Sequence, residues 1–264
     1  MAGMEITSVS KSYAGNGKPV AALRGVDLVV GDGEFVSIVG PSGCGKSTLL
    51  YIVAGFLDCE GAVSIDGRRV TGPGTDRGVV FQEQALFPWL TVRGNILYGP
   101  KARGVPTAER AEIADRLIGM IGLQGFEDRF PRELSGGMRQ RVALARTLAC
   151  DPSILLLDEP FGALDAQTRE FMQDELLRIW HETGKTILMI THDVDEAVYL
   201  SDRVLVMSAR PGRLVDAFTV DLDRSRPRED VVLSDRFRDI RNQVWLSVRR
   251  QAQRPEEGGT ADGG

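Results

Sequence analysis

Val39-Gly40-Pro41-Ser42-Gly43-Cys44-Gly45-Lys46-Ser47-Thr48 decides how the rest of this chain is read. An apolar run, Phe35-Val36-Ser37-Ile38-Val39, leads into it, and Leu49-Leu50-Tyr51-Ile52-Val53-Ala54 follows. The order is strand, glycine turn, helix. Gly40, four intervening residues, then Gly45, Lys46 and Ser47 fit the phosphate-loop pattern in the context that the pattern requires. Glycines let successive backbone N–H groups converge on a polyphosphate, where a Cβ would block the approach. A helix starting near Lys46 adds unsatisfied N–H groups and its positive dipole end. Lys46 can reach the β- and γ-phosphates as a point charge, and the Ser47 hydroxyl can ligate Mg²⁺. Chance yields the pattern in on the order of 1% of chains this long, and the flanking strand and helix lower that further. The stretch is read as a nucleotide site, not as a glycine turn that binds nothing.

The bulk properties narrow the setting. The 264 residues suffice for a real core, as one large domain or one domain with a lobe. Hydrophobic residues make up 42% and charged residues 26%, the proportions of a soluble globular protein. A net charge of −5 and a pI near 5.3 give no electrostatic footprint for nucleic acid. Cys44, Cys59 and Cys150 lack metal-ligand spacing, and their odd number argues against a disulfide framework. Cys44, inside the phosphate loop, is read as a small space-filler. No apolar run approaches a membrane span, and the N-terminus lacks a signal-peptide core. A cytosolic protein is expected, reaching a membrane only through partners.

Short strands are expected on both sides of the loop. Residues 6–13 and 20–30, with Gly15-Asn16-Gly17 between them, read as a hairpin or small antiparallel sheet. Gly55 should end the first helix, Val63-Ser64-Ile65 with Asp66-Gly67 is a strand and turn, and residues 78–81 deliver Gln82 at a strand end. The character changes between Gln82 and Leu134, where Pro88, Pro100 and Pro106 interrupt the chain. Ile113, Leu117 and Ile121 recur at helical spacing, so a helical lobe is expected here. Strand signals return at residues 154–157, 186–191, 204–207 and 213–220. Residues 168–181 form a helix whose Met172, Leu176, Ile179 and Trp180 share a core face. Beyond Asp221, Phe237, Ile240, Val244 and Val248 suggest one more amphipathic helix.

Three further stretches carry chemistry. Ile154-Leu155-Leu156-Leu157-Asp158-Glu159 is a buried-type strand ending in two carboxylates. Asp158 can hold Mg²⁺, and Glu159 can polarise a water for in-line attack on a γ-phosphate. Leu134-Ser135-Gly136-Gly137-Met138 opens a helix, a second anion-binding N-terminus. Ile187-Leu188-Met189-Ile190-Thr191 ends in His192, one of only two histidines, before the acidic helix start Asp193-Val194-Asp195-Glu196. A phosphate-facing role fits His192, whereas His181 reads as a surface residue. Ala85-Leu86-Phe87-Pro88-Trp89-Leu90 is apolar for a loop and reads as either buried core or a docking groove.

From about Met4 to about Val220 the chain resembles the ATP-binding subunit of an ABC transporter. Residues 40–48 resemble Walker A, Gln82 the Q-loop, residues 134–138 the signature, and residues 154–159 Walker B. Ala163-Leu164-Asp165 resembles the D-loop and His192 the switch histidine, while Tyr13 stands where the family stacks an aromatic on adenine. Met138 departs from the commoner glutamine, with the Ser-Gly-Gly core intact. The resemblance implies an α/β P-loop NTPase of ABC-ATPase fold, with an antiparallel β subdomain and an inserted helical subdomain. It implies an ATPase domain over 1–221 (helical subdomain roughly 84–150), while composition and spacing give an extension over 222–253 with a short helix and a Gly- and Glu-rich tail over 254–264 expected to be disordered. The implied cofactors are ATP and Mg²⁺. Tyr13 and residues Gly40, Pro41, Ser42, Gly43, Cys44, Gly45, Lys46, Ser47 and Thr48 would bind the nucleotide. Gln82, Ser135, Gly136, Gly137 and Asp165 would contact it too. Ser47, Gln82 and Asp158 would serve the metal, and Glu159, His192 and Lys46 the catalysis.

The implied mechanism needs two cassettes, head to tail, as a homodimer or with a paired ATPase subunit. The other implied partners are an integral-membrane permease and a periplasmic or extracellular substrate-binding protein, with no nucleic acid. The implied location is peripheral, on the cytoplasmic face of the inner membrane. Residues 72–82, Phe87-Pro88-Trp89-Leu90-Thr91-Val92, residues 158–165 and Ser208-Ala209-Arg210-Pro211-Gly212-Arg213 are similar to the nitrate/sulfonate/taurine importer group, taurine-type nearest. The alternatives are a soluble non-transport ABC ATPase and a regulatory nucleotide-binding module. Lys46, Asp158, Glu159 and His192 are all present, which argues against a module without turnover.

Overall fold

The apolar run before the glycine turn forms β3 (Phe35–Val39), all five residues buried. It pairs in parallel with β8 (Thr186–Ile190) and β9 (Arg203–Met207), with Val36 opposite both Leu188 and Arg203. Parallel strands covered on both faces have no polar side to display, which is why these runs do not alternate. β10 (Leu214–Thr219) is antiparallel to β9 and alternates half-buried with exposed residues. α1 (Lys46–Ala54) follows β3, packs against β8, and ends at Gly55, whose φ of 80° no β-carbon residue adopts readily. The computed structural model describes residues 3–14, 19–83, 85–162 and 164–253. They fall in two units, Met1–Gly74 with Thr186–Gly264, and Thr75–Lys185.

The first unit also holds an antiparallel sheet. β1 (Met4–Tyr13), β2 (Val20–Val30), β4 (Glu60–Ile65) and β5 (Arg68–Arg69) lie in the order β2-β1-β4-β5. Met4 and Ile6 of β1 are buried with Leu28 and Val30 of β2, as a sheet with one covered face requires. Asp66 and Gly67 both have positive φ, the backbone that a tight two-residue hairpin demands. The expected turn at Gly15-Asn16-Gly17 lies outside the described residues.

Three helices complete this unit: α6 (Val194–Leu200), α7 (Arg228–Val232) and α8 (Asp235–Ala252). Among the described residues two helices thus follow Asp221 where one was expected. The buried stripe of α8 runs Phe237, Ile240, Val244, Ser247 and Gln251, so Ser247 takes the core position expected of Val248, which is only half-buried. Ser247 is accommodated because its hydroxyl hydrogen-bonds the Asp216 carboxylate of β10. The proposed tail, 254–264, lies outside the described residues.

In the second unit β6 (Arg77–Val80) pairs in parallel with β7 (Ile154–Asp158), Val80 opposite Leu157. Between them in sequence come α2 (Val92–Ala102), α3 (Thr107–Met120), a 3-10 turn and α4 (Gly136–Leu148). α2 packs on α3 and α4, and α4 on β6. Pro100, expected to interrupt the chain, lies inside α2. Burial of Val92, Asn95, Ile96 and Pro100 outweighs the poor helix propensity of Gly94, Gly99 and Pro100. α5 (Ala166–Thr183) buries Met172, Leu176, Ile179 and Trp180 and leaves His181 exposed.

Candidate nucleotide site

In the first unit the glycine turn caps α1. Gly45 is the N-cap with φ 106°, and no side chain hydrogen-bonds to this helix start. A Cβ on Gly45 would stand 2.8 Å from Leu23 Cδ2 and 2.9 Å from the Ala22 oxygen, so glycine is obligatory here. Lys46 is only 7% exposed. Its ammonium donates to Gly40 O at 2.8 Å and Pro41 O at 3.1 Å, so the amine sits within the curve of the loop. Cys44 is buried beside it, and burial pushes the thiol up from its ordinary value despite Lys46. An un-ionised thiol matches the space-filling reading.

The structure brings two further expected residues to this loop's surroundings. The Tyr13 hydroxyl lies 3.3 Å from Thr48 Oγ1 in the first turn of α1. His192 is exposed just past β8, and Thr191 N donates to Ile38 O at 3.2 Å. His192 and the phosphate loop therefore leave the C-terminal ends of adjacent parallel strands, where open α/β sheets bind ligands. Asp193 caps α6, its carboxylate accepting from Asp195 N at 2.9 Å and Glu196 N at 3.1 Å.

One brace of the loop was not foreseen. Arg210 donates to Gly43 O from Nη2 at 2.9 Å and Nε at 3.3 Å. Gly212 N donates to Ala22 O at 2.8 Å, and Arg24 N to Gly212 O at 3.1 Å. The stretch from Ser208 to Arg213 had been read only as a mark of resemblance; it supports the phosphate loop. Arg210 lies 167 residues from Gly43, and nothing local in the sequence signals the contact.

In the second unit the strand ends converge in the same way. Asp158 closes β7 and is 2% exposed. Glu159 follows with φ 45°, an uncommon backbone for a non-glycine residue and one that clusters at functional sites. Gln82 Nε2 donates to Glu159 Oε2 at 3.2 Å, joining the expected Q-loop residue to the expected base. Among the described residues no three His, Cys, Asp or Glu side chains cluster as a metal cage.

α4 organises the rest of this unit. Ser135 is its N-cap and accepts from Met138 N at 3.2 Å. A Cβ on Gly137 would stand 3.2 Å from Thr168 Cγ2 and 3.3 Å from Leu164 Cδ2, so the start of α4 lies against the start of α5. Asp165 caps α5, and the Thr168 N–H, 3.0 Å away, holds its carboxyl below the usual range. Ala163, the first D-loop residue, lies outside the described residues. Toward the far end of α4, Arg146 donates to Ala85 O at 2.8 Å and lies over the Phe87 ring. Asn95, which the sequence reading missed, ties the loop down: its amide donates to the oxygens of Phe87, Leu90 and Thr91 and accepts from Phe87 N. Trp89 is left 69% exposed, so the buried-core reading of residues 85–90 fails.

A glycine cradle opening a helix, with a buried aspartate ending a parallel strand, defines a phosphate-loop nucleotide-binding protein. Residues 23–162 match the family described as ABC transporter. An uncharacterized ABC transporter ATP-binding protein of Methanocaldococcus jannaschii is 54% identical, with 86% of each chain covered. A nitrate import ATP-binding protein of Synechocystis is 50% identical over 85% of this chain and 86% of that one. A taurine import ATP-binding protein of Roseobacter denitrificans is 46% identical over 93% and 95%. Among solved structures, an ATP-binding cassette captured as a post-hydrolysis dimer with ADP and Pi has a TM-score of 0.75 at 35% identity, covering 82% of this chain and 98% of that one. The chain belongs to the ABC transporter family, as one of its ATP-binding ATPase cassettes.

Proposed function

We propose that this cassette energises a membrane importer of sulfonates such as taurine, or of nitrate-like anions. One observation carries the mechanism: each chain has two unlike helix starts for phosphate, α1 capped by a glycine and α4 capped by Ser135, but one Asp158–Glu159 pair. A nucleotide held by residues 40–48 of one cassette would then be closed over by Ser135, Gly136, Gly137 and Asp165 of a second. The solved cassette dimer supports that pairing. Tyr13 stacks on the base. Lys46 would take the β- and γ-phosphates, and Ser47, Gln82 and Asp158 would hold Mg²⁺, which when bound would neutralise charge on the phosphate oxygens. Glu159 polarises the attacking water, with Gln82 holding its carboxylate, and His192 faces the γ-phosphate.

The relatives named for taurine and nitrate import, at 46% and 50% identity, support the anion class. Among the described residues no helix is long and apolar enough to cross a membrane. The proposed arrangement, by analogy with the import ATP-binding relatives, is peripheral at the cytoplasmic face, with a separate permease and an external substrate-binding protein. Exposed Trp89 and Tyr98 flank the half-buried Phe87 ring, and Arg146 ties this loop to the helix that carries Ser135. A permease seated there would feel closure of the dimer. The domain limits proposed above, 1–221 with an insertion at 84–150, then 222–253, accord with this division of labour.

The test compares ATP hydrolysis by the wild type and Glu159→Gln, with mass measured in ATP and Mg²⁺. Slow turnover is expected of the wild type, and Glu159→Gln should lose turnover and accumulate an ATP-bound dimer. Normal hydrolysis by Glu159→Gln would refute the assigned base, and an ATP-bound monomer would refute the two-cassette site.

A further inference from the structure

The residues beyond Asp221 grip the short helix that follows His192. α6 has seven residues, fewer than two turns, and so few residues hold no helix in place unaided. Its start is coupled directly to the histidine: Thr191 Oγ1 accepts from Asp193 N at 3.0 Å, and Asp193 in turn caps α6. Wherever α6 sits, the backbone of His192 must follow.

Both ends of α6 are held from the extension. At the first turn, Arg241 of α8 donates from Nε to Asp195 Oδ1 at 2.7 Å. At the last turn, Arg224 donates from Nε to Tyr199 O at 2.8 Å, and also to Ser201 O. Its side chain is 7% exposed, and Asp202 balances the charge at 3.4 Å. Arg228 lies over the Tyr199 ring, 4.1 Å from its centroid. Between these points α8 packs along α6, with Phe237, Ile240 and Val244 buried.

The two arginines differ in kind. Arg224 is buried on backbone carbonyls and acts as an anchor, because removing it strands acceptors in the interior. Arg241 and Asp195 are both exposed, and such a pair adds little to global stability. What it does set is the orientation of the first turn.

We infer that the extension positions His192 for catalysis, Arg224 fixing the far end of α6 and Arg241 its first turn. This rests on the reading of His192 as a γ-phosphate-facing residue. An extension that served only as packing would change thermal stability and leave turnover per folded molecule alone.

The experiment measures kcat and KM for ATP, with the melting temperature, in the full chain. The variants are Arg241→Glu, Asp195→Arg, the two combined, His192→Ala, and His192→Ala with Arg241→Glu. Arg241→Glu should lower kcat about two- to fivefold, the scale of one exposed ion pair, with KM and melting temperature little changed. Swapping both charges should restore kcat, and Arg241→Glu should add nothing to His192→Ala. If His192→Ala lowers kcat but Arg241→Glu does not, the inference is wrong and the reading of His192 stands. An equal loss from Arg241→Glu in the His192→Ala background also overturns it, since the extension would then act elsewhere. Should His192→Ala have no detectable turnover, the charge swap decides, and failure to recover kcat refutes the inference. If His192→Ala keeps full kcat, the reading of the histidine falls and the inference with it.

Discussion

The two helix starts proposed to face phosphate are built in opposite ways. α1 begins at Gly45, with no side-chain cap and with Lys46 folded onto the carbonyls of its own loop. α4 begins at Ser135, whose hydroxyl already accepts from Met138 N. A glycine start presents bare backbone and brings a charge with it. A serine start satisfies part of its own end, and its nearest charge, Arg139, donates to Leu134 O at 2.8 Å. In the proposed mechanism the first holds a polyphosphate within one chain, and the second adds a contact when another molecule supplies the phosphate. On the proposed mechanism, that asymmetry makes a cassette half of a working site.

The contrast can be broken most severely at α1. Lys46→Ala should cut turnover on the order of a hundredfold or more, the scale of losing a preorganised group at a reacting phosphate. ATP titration of the folded variant should show weakened binding by the isolated chain as well. Ser135→Ala should behave differently: ATP binding by the monomer stays normal, while turnover at dimer-forming concentration falls roughly tenfold. Loss of the cap should also cost about 1 kcal/mol in α4, readable by chemical denaturation. Equal loss of monomer binding in both variants would erase the distinction drawn here.

Smaller changes sharpen it. Arg210→Ala releases Gly43 O and should raise the KM for ATP about threefold, with kcat within twofold, as expected for one loop contact of about 0.5–1 kcal/mol. The smallest effect concerns Asp165, beside the start of α4. The Thr168 N–H lowers its pKa in the folded chain. Its stabilising contribution is therefore complete above the unfolded value and disappears as pH falls through the folded one. Melting temperatures of the wild type and Asp165→Asn should differ slightly at pH 7 and converge below about pH 4.

How much of this was legible in the sequence depended on how local the cause was. The phosphate loop is one uninterrupted stretch, and a strand covered on both faces announces itself as an apolar run, as β3, β7 and β8 do. α2 was not legible, because two glycines and Pro100 argue against a helix and only burial against α3 and α4 overrules them. Asn95 looked like any polar residue, yet its amide fixes the loop that exposes Trp89. Arg210 and the clamp of Arg224 and Arg241 on α6 depend on contacts 167, 25 and 46 residues apart. No spacing rule reaches that far. The pairing of Gln82 with Glu159 lies between: both motifs were readable, but the 3.2 Å contact needed the parallel register of β6 and β7.

The central claim, that each working site takes α1 from one chain and α4 from another, is tested most directly by mixing two dead variants. Lys46→Ala spoils the first contribution, and Ser135→Arg, which puts a bulky side chain at the mouth of α4, spoils the second. Each should hydrolyse ATP at background rates alone, and each should fold as judged by its melting curve. Mixed, they form dimers in which one site receives an intact α1 start and an intact α4 start, so the account predicts turnover that neither variant shows by itself. If mixing restores nothing while wild-type chains mixed with either variant remain active, the sites are not shared between chains, and the account is wrong.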